Sequence, residues 1–331
     1  MANPLPSEVV KYLHHRVKLN ESEIQWISDR TEQLAAGVVD DYYITFFIEG
    51  RNKRRLIEAP CKELKSIQRK ILDRVLYRFA ISNAAHGFAK NRSPCTNAEA
   101  HAKHREGVKR RSAWCALMID VKDFFHSIRG STVWKIFAKI LEHRTSISKP
   151  SVRNALADLL TALCVKDERL PMGAPTSPAL SNIAMLEFDY QMIKYAKKRH
   201  RLYTRYADDI VVSGPFANDS FKTLEEKLEN LHLKVNPKKT RVCRPHRAIA
   251  VTGVTINSGV TTVSRKYRRR LRAALHQTRL SVEGATTTKV LRPEKLSRLI
   301  GQAGWCAFVN PKHTSLLAQA REIQRVQEET V

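Results

Sequence analysis

Two adjacent acids, Asp208 and Asp209, stand between the apolar runs YTRY and IVVSG. A third, Asp120, closes the apolar run at 115–119, and Asp123 follows it. An acid at the end of a buried strand is expensive unless a cation meets it. Neighbouring carboxylates also repel, so the pair needs a counter-ion. Hard oxygen donors of this kind suit Mg²⁺, which keeps waters and takes one or two carboxylates plus substrate phosphates. The plain alternative for Asp208-Asp209 alone is a surface turn. A second constellation, Cys95, His101 and His104, offers three ligands where a structural zinc site needs four. Hydrogen bonding or RNA contact is the reading for those histidines.

The elements that must hold the acids are legible from periodicity. Residues 203–206 and 210–213 read as short strands, with the Asp pair near the turn between them. Residues 41–49 and 54–58 read as two strands around Gly50-Arg51-Asn52, crowded by Arg51, Lys53, Arg54 and Arg55. That turn is either a solvated basic loop or a grip on phosphates. Residues 62–80 carry an apolar stripe of Leu64, Ile67, Ile71, Leu72, Val75, Leu76 and Phe79, and predict one helix, with Arg69 among its basic residues. Asn20 and Glu23 form a helix-start signature for residues 20–36, which Gly37 ends. Further helices are predicted over 131–143, over 151–164 with Ser151 as cap, from Pro178 to about 199, and over 220–232 with Leu231 inward. Residues 249–263 predict two strands around an Asn-Ser-Gly turn.

Composition bounds the partner. The 331 residues carry 58 Lys and Arg against 32 Asp and Glu, a formal net charge of +26. Such an excess favours a polyanion, nucleic acid first and anionic membrane second. No apolar run approaches the roughly 18 residues of a membrane span. The N-terminus has no basic segment followed by an apolar one, so export is not expected. Six scattered cysteines, none in a CxxC pair, fit a reducing cytoplasm. The last segment, 265–331, is basic and helical, with a break of small residues at 284–288.

The order of features resembles a reverse transcriptase over roughly residues 40–331. RLIEAP followed by LKSIQRKIL resembles a fingers block, the Asp120 segment a first palm block, and LPMGAPTSPALSN a template-and-nucleotide block. YADD resembles the catalytic box, with VNPKKT and VTGVTI as the palm blocks after it. Asn97-Ala98-Glu99-Ala100-His101 is similar to the NAxxH motif, and Val251-Thr252-Gly253 to the VTG triplet, of bacterial retron reverse transcriptases. The resemblance implies an α+β right-hand polymerase: an N-terminal helical extension at 1–39, fingers with part of the palm at 40–119, a palm with an antiparallel sheet and helices at 120–264, and a helical thumb at 265–331.

It also implies chemistry. Two Mg²⁺ ions would be held by Asp120, Asp208 and Asp209, with the Val121 carbonyl completing a shell. Phe125 would be the steric gate against a ribose 2′-hydroxyl. Arg54, Arg69 and Gly173 would contact the nucleotide. Asn97, His101, Val251, Thr252, Gly253, Arg265, Lys266, Arg268, Arg269, Arg270 and Arg272 would contact RNA. Met172 stands where many relatives have Gln, so a Gln-type contact is not expected. The implied partners are dNTPs, a structured non-coding RNA of msr-msd type, its branched RNA–DNA product (msDNA) and an accessory effector protein in phage defence, all in the bacterial cytoplasm. The alternatives are a group II-intron-like or other bacterial reverse transcriptase using a 3′-hydroxyl primer, and a non-catalytic RNA-binding scaffold.

Overall fold

The structure is a computed structural model that describes residues 5–35, 42–49, 54–107, 113–144, 147–244, 246–257, 260–283 and 293–330. Arg51 and Lys53 of the basic turn, Gly37, the break at 284–288, and Ser258-Gly259 lie outside the described residues.

Four antiparallel strands carry the centre: β3 (Trp114–Asp120), β4 (Leu202–Tyr206), β5 (Asp209–Pro215) and β6 (Arg241–Cys243), in the order β4-β5-β3-β6. β3 is buried at every residue, so its side chains must pack on both faces. Cys115, Leu117 and Ile119 join one core, with Tyr203, Ile210 and Val212. Trp114, Ala116 and Met118 join a second, with Val211. This period-two split of a strand between two cores is what a central strand requires.

The first core receives the N-terminal segment. α1 (Ser7–Tyr12) and α2 (Glu21–Ser28) bury Val9, Tyr12 and Ile27 there. α2 opens with a reciprocal cap: Asn20 Oδ1 accepts from Glu23 N, and Glu23 Oε2 accepts from Asn20 N. The single helix expected over 20–36 is two, α2 and α3 (Thr31–Ala35); between them Arg30 N donates to the Ile27 carbonyl in a tighter turn, and Thr31 Oγ1 bonds the carbonyls of Ile27 and Ser28. β1 (Tyr43–Glu49) and β2 (Arg54–Pro60) form a separate hairpin. α4 (Lys62–Arg74) is shorter than the expected 62–80; it ends at Val75, at φ −112° and ψ −60°, and a tight 3₁₀ turn, Leu76–Arg78, follows. After α5 (Pro94–Glu106) and α6 (Phe124–Ser127), α7 (Gly130–Arg144) and α8 (Pro150–Ala162) complete this half. α8 begins on Pro150 after Lys149, so Ser151 lies inside the helix and is not its cap.

The expected helix from Pro178 to 199 is also two, α9 (Ser177–Ala184) and α10 (Leu186–Lys197), hinged at Met185, whose ψ is 0°. α11 (Phe221–Glu229) stops before Leu231, which is 38% exposed, and the chain turns left-handed at His232.

The second core gathers β7 (Ala250–Val251), β8 (Val254–Thr255) and three long helices, α12 (Arg265–Glu283), α13 (Pro293–Val309) and α14 (Thr314–Thr330). Its first hairpin turns at Thr252-Gly253, ahead of the expected Asn-Ser-Gly turn, whose Ser258 and Gly259 lie outside the described residues. Thr252 and Gly253 have positive φ, 46° and 81°, as a two-residue turn of type I′ needs. A single bridge, Thr255 to Thr262, makes the second return. No helix among the described residues is long and apolar enough to cross a membrane.

Candidate active site

β4 and β5 form a tight hairpin with Tyr206 opposite Asp209, so Ala207 and Asp208 are the turn. Ala207 takes a left-handed φ of 55°. A Cβ on Gly87 would lie 2.5 Å from the Ala207 nitrogen, so only glycine lets that loop press on the turn. The register of β3 against β5 sets Asp120 directly opposite Asp209. Val121 N donates to the Asp208 carbonyl at 2.9 Å, tying the turn to the end of β3. Two far-apart stretches thus bring three carboxylates to one end of the sheet.

Their electrostatics fit a cation site. Burial, then the charges of Asp208 and Asp120, push the Asp209 carboxyl up to about 6. Burial and Asp120 raise Asp208 as well. Asp120 itself is buried and held: Asn236 Nδ2 donates to Oδ1 at 2.9 Å, and Lys239 Nζ to Oδ2 at 2.6 Å. The bond to Asp120 raises the Lys239 ammonium's pKa in turn. Lys239 therefore stands where positive charge is needed. Among the described residues, no three His, Cys, Asp or Glu side chains form a preformed cage for one ion. The donors are nonetheless hard oxygens in mutual repulsion, which suits Mg²⁺ bound with water and phosphate oxygens. Val121 pairs with Val235 through bonds of the flanking residues, Lys122 N to Lys234 O and Asn236 N to Asp120 O, which leaves its own carbonyl out of that bridge.

A cavity of about 350 Å³ opens beside this end of the sheet, lined by Asp120, Asp209, Lys238, Lys239, Arg241 and the Thr252-Gly253 turn, among others. Two of the expected RNA-contacting residues therefore share a space with the carboxylates. Gly253 is exposed, Thr252 is half-buried, and Val251 is buried in the second core.

The expected nucleotide contacts fall unevenly. Arg55, not Arg54, is the β2 cation whose charge reaches Asp208. Arg54 points to the other face of β2 and lies over the Phe47 ring at 3.9 Å. Arg69 is on the exposed side of α4. Phe125 is half-buried and packs on Phe124 and on Phe88, with ring centroids 5.6 and 5.9 Å away. Phe88 follows Gly87, so this aromatic pair adjoins the Ala207-Asp208 turn. A Cβ on Gly173 would meet the Glu58 carbonyl at 2.9 Å. The preceding residue, Met172, uses its main-chain carbonyl to accept from Glu58 N at 2.7 Å. Glu58 is 1% exposed and clamps the two segments, bonded to His126 Nε2 at 3.0 Å and to both terminal nitrogens of Arg169.

The residues that hold the hairpin were not anticipated. Arg205, fully buried, makes a two-pronged pair with Asp189 at 2.9 and 2.7 Å. Tyr203 donates to the same carboxylate, and Arg205 also reaches Asn182 Oδ1 and the Ala207 carbonyl. Asn182 in turn donates to the Gly87 carbonyl at 2.9 Å. The signal was present: Arg205 is a charge inside a strand of tyrosines.

Burial corrects three of the RNA-contact expectations. Val251 is 0% exposed and packs in the second core. Asn97 and His101 are 0% exposed, so neither presents an atom to RNA. They lie one helical turn apart on the face of α5 that packs inward. On α12 the expected contacts do face outward: Arg265, Lys266, Arg269, Arg270 and Arg272 are exposed and Arg268 is half-buried.

Residues 48–256 match the family model for reverse transcriptase, the RNA-dependent DNA polymerase domain. The chain is 29% identical to the retron Mx162 reverse transcriptase of Myxococcus xanthus, over 92% of this chain and 65% of that protein. It is 33% identical to the retron Mx65 enzyme of the same organism, over 78% of this chain and 63% of that one. It is 31% identical to the retron Ec86 reverse transcriptase of Escherichia coli, over 76% of this chain and 74% of that protein. The chain thus spans a little under two thirds of the two Myxococcus relatives. The hairpin of Asp208 and Asp209, its opposing acid and the four-stranded sheet fall inside the matched region, and the chain, with the α+β fold of a right-hand polymerase, belongs to the reverse transcriptase family, among the bacterial retron reverse transcriptases.

Proposed function

We propose that this chain is the RNA-directed DNA polymerase of a retron. It binds a structured non-coding RNA of msr-msd type and copies part of it, starting from a guanosine 2′-hydroxyl. The product is branched RNA–DNA that stays bound, and with an accessory effector the complex serves phage defence in the bacterial cytoplasm. The observation that carries the polymerase reading is the meeting of Asp120, Asp208 and Asp209 at one end of the sheet, in a chain of this family. The retron reading rests on the identity to three retron enzymes.

Asp120 and Asp208, with Asp209 beside them and the Val121 carbonyl, would hold two Mg²⁺ ions. Those ions would lower the primer hydroxyl's pKa and neutralise charge on the transferring phosphoryl group. The chain's own work is placement. Asn236 and Lys239 fix the Asp120 carboxylate, and the Arg205 pair fixes the turn that carries Asp208. Arg55 adds positive charge on the side facing Asp208, where a triphosphate would sit. Phe125 would stand against the sugar. The exposed arginines of α12 would track the RNA backbone, with a salt-dependent affinity.

The joint variant Asp208→Asn, Asp209→Asn should abolish DNA synthesis and leave RNA binding within about twofold. Full synthesis by that variant would overturn the polymerase reading. Phe125→Ala should raise ribonucleotide incorporation; unchanged selectivity would remove Phe125 from the gate. For the retron reading, the protein is purified from its own operon and its nucleic acid is treated with RNase and with debranching enzyme. A DNA whose mobility shifts on both treatments is the expected result. Unbranched DNA would keep the polymerase and reject the 2′-hydroxyl primer.

A further inference from the structure

The NAEAH motif lies on α5, and its histidine has a placement that direct RNA contact does not explain. His101 is fully buried behind the catalytic hairpin. Its Nε2 is 2.7 Å from Thr204 Oγ1, and its Nδ1 is 2.7 Å from Ser213 Oγ. Thr204 is on β4 and Ser213 on β5, one on each strand of the hairpin. Thr204 precedes Asp208 by four residues, and Ser213 follows Asp209 by four. One ring therefore bridges the two strands diagonally: Thr204 is opposite Val211, and Ser213, opposite Leu202, lies two residues further from the carboxylates.

The chemistry suits a spacer of fixed length. A neutral imidazole has one N–H donor and one bare nitrogen acceptor, and a hydroxyl can take either role. Burial holds the ring neutral, far below its usual titration range. The ladder already spaces the two strands, so two short bonds on a planar ring fix α5 against both of them more tightly than apolar contact does.

The same helix is tied to the other conspicuous motif. Thr252 Oγ1 donates to the Pro94 carbonyl at the start of α5, at 3.0 Å. Near its other end, Arg105 donates to the Asn257 carbonyl at 3.2 Å. Cys95, Ala98 and Ala102 pack in the core that also holds Val251, Val254 and the buried faces of α12, α13 and α14. α5 therefore joins the turn and the three helices to the back of the hairpin.

We infer that His101 is a positioning residue for the catalytic hairpin, and that NAEAH and VTG form one bracket that sets the carboxylates against the RNA-facing helices. This rests on the polymerase reading above. His101 touches neither substrate nor metal in it; it acts through Thr204 and Ser213.

The test is single-turnover addition of a dNTP to a DNA primer annealed to an RNA template, with the full chain. RNA affinity is measured separately. His101→Phe keeps the volume and removes both bonds. It should lower the maximal addition rate about tenfold, with dNTP affinity and RNA affinity within about twofold of wild type. His101→Gln, which restores a donor and an acceptor, should recover part of that rate. Thr204→Val should lose several-fold in rate, and adding it to His101→Phe should cost little more, because both remove the same bond. Weakened RNA binding with an unchanged rate per bound complex would overturn the inference in favour of an RNA reader. An unchanged rate with only lowered stability would overturn it in favour of plain packing. If His101→Phe does not fold, Thr204→Val and Ser213→Ala decide by the same two criteria. A wild type that adds no nucleotide would bring down the polymerase reading itself, and this inference with it.

Discussion

The two faces of the β4–β5 hairpin are locked in opposite ways. On the face toward the first core, Tyr203 and Arg205 of β4 meet Asp189, and the lock is an ion pair with no exposure on either side. On the face toward the second core, Thr204 and Ser213 meet His101, and the lock is neutral. The strand's period of two sorts the residues: odd positions of β4 go to the charged side, even positions to the neutral one. A charged pair in a dry interior gains strength from low dielectric but becomes a liability once one partner is lost. A neutral network costs less to break, and its failure is one of geometry before stability. The charged lock reaches the turn itself, through the Ala207 carbonyl and, by way of Asn182, Gly87. The neutral lock sits deeper in the hairpin.

The largest effect should come from the charged side. Asp189→Asn leaves the Arg205 guanidinium buried without its counter-charge, and it should cost about 3–5 kcal/mol. Urea denaturation measures this directly. A loss below about 1 kcal/mol would mean that Asn182 and the carbonyls carry Arg205 alone, and the contrast between the two faces would collapse.

Next comes the tip, where the charged lock acts on the chemistry. Gly87→Ala places a methyl 2.5 Å from the Ala207 nitrogen, against backbone. The turn must shift, and Asp208 shifts with it. The expected stability cost is about 1–3 kcal/mol, as for overpacking elsewhere. The expected rate loss is at least tenfold, since small misplacements of reacting groups are costly. Substantial activity with the full stability loss would show that the turn yields without moving its carboxylate.

These two sites differ in how far the sequence reveals them. The acids of the candidate site were legible because an acid closing an apolar strand is costly and therefore conspicuous. The strands of the hairpin, β3, and the apolar stripe of α4 follow from periodicity alone. Helix ends did not: Thr31, Val75 and Met185 interrupt helices through backbone choices that apolar spacing does not encode. Arg205 was visible as a charge in a strand, but its partners Asp189 and Asn182 lie on two different helices, and only the hinge at Met185 brings them to one place. Arg54 and Arg55 are neighbours in the chain and opposite in the strand, so composition could not choose between them. His101 carried a motif but no sign of its burial. α5 reads as polar along its length, and its inward face is made of small residues, Asn97 and His101.

The neutral lock gives the smallest effect and the sharpest sign. In the unfolded chain, His101 takes up a proton below about pH 6.5. In the folded chain, burial, with the charges of His104 and His86 adding, keeps the ring neutral down to about 3. Below pH 6.5 the unfolded state therefore binds more protons, and stability falls with pH. The contribution is fully present above 6.5 and is lost progressively toward 3. At pH 5 the loss from this one ring is about 2 kcal/mol by linkage. His101→Gln should be less stable than wild type at pH 7.5, yet lose less on acidification, so that the two stability curves converge between pH 6.5 and 5. Denaturation midpoints measured across that range check it. His86, depressed to about 4, and His104, also depressed, both chiefly by burial, remain in both proteins, so only the part of their titration that is coupled to His101 differs between the two curves. Parallel curves would mean that His101 can be protonated in place, with Thr204 and Ser213 both accepting, and that the second face of the hairpin tolerates charge as the first one does.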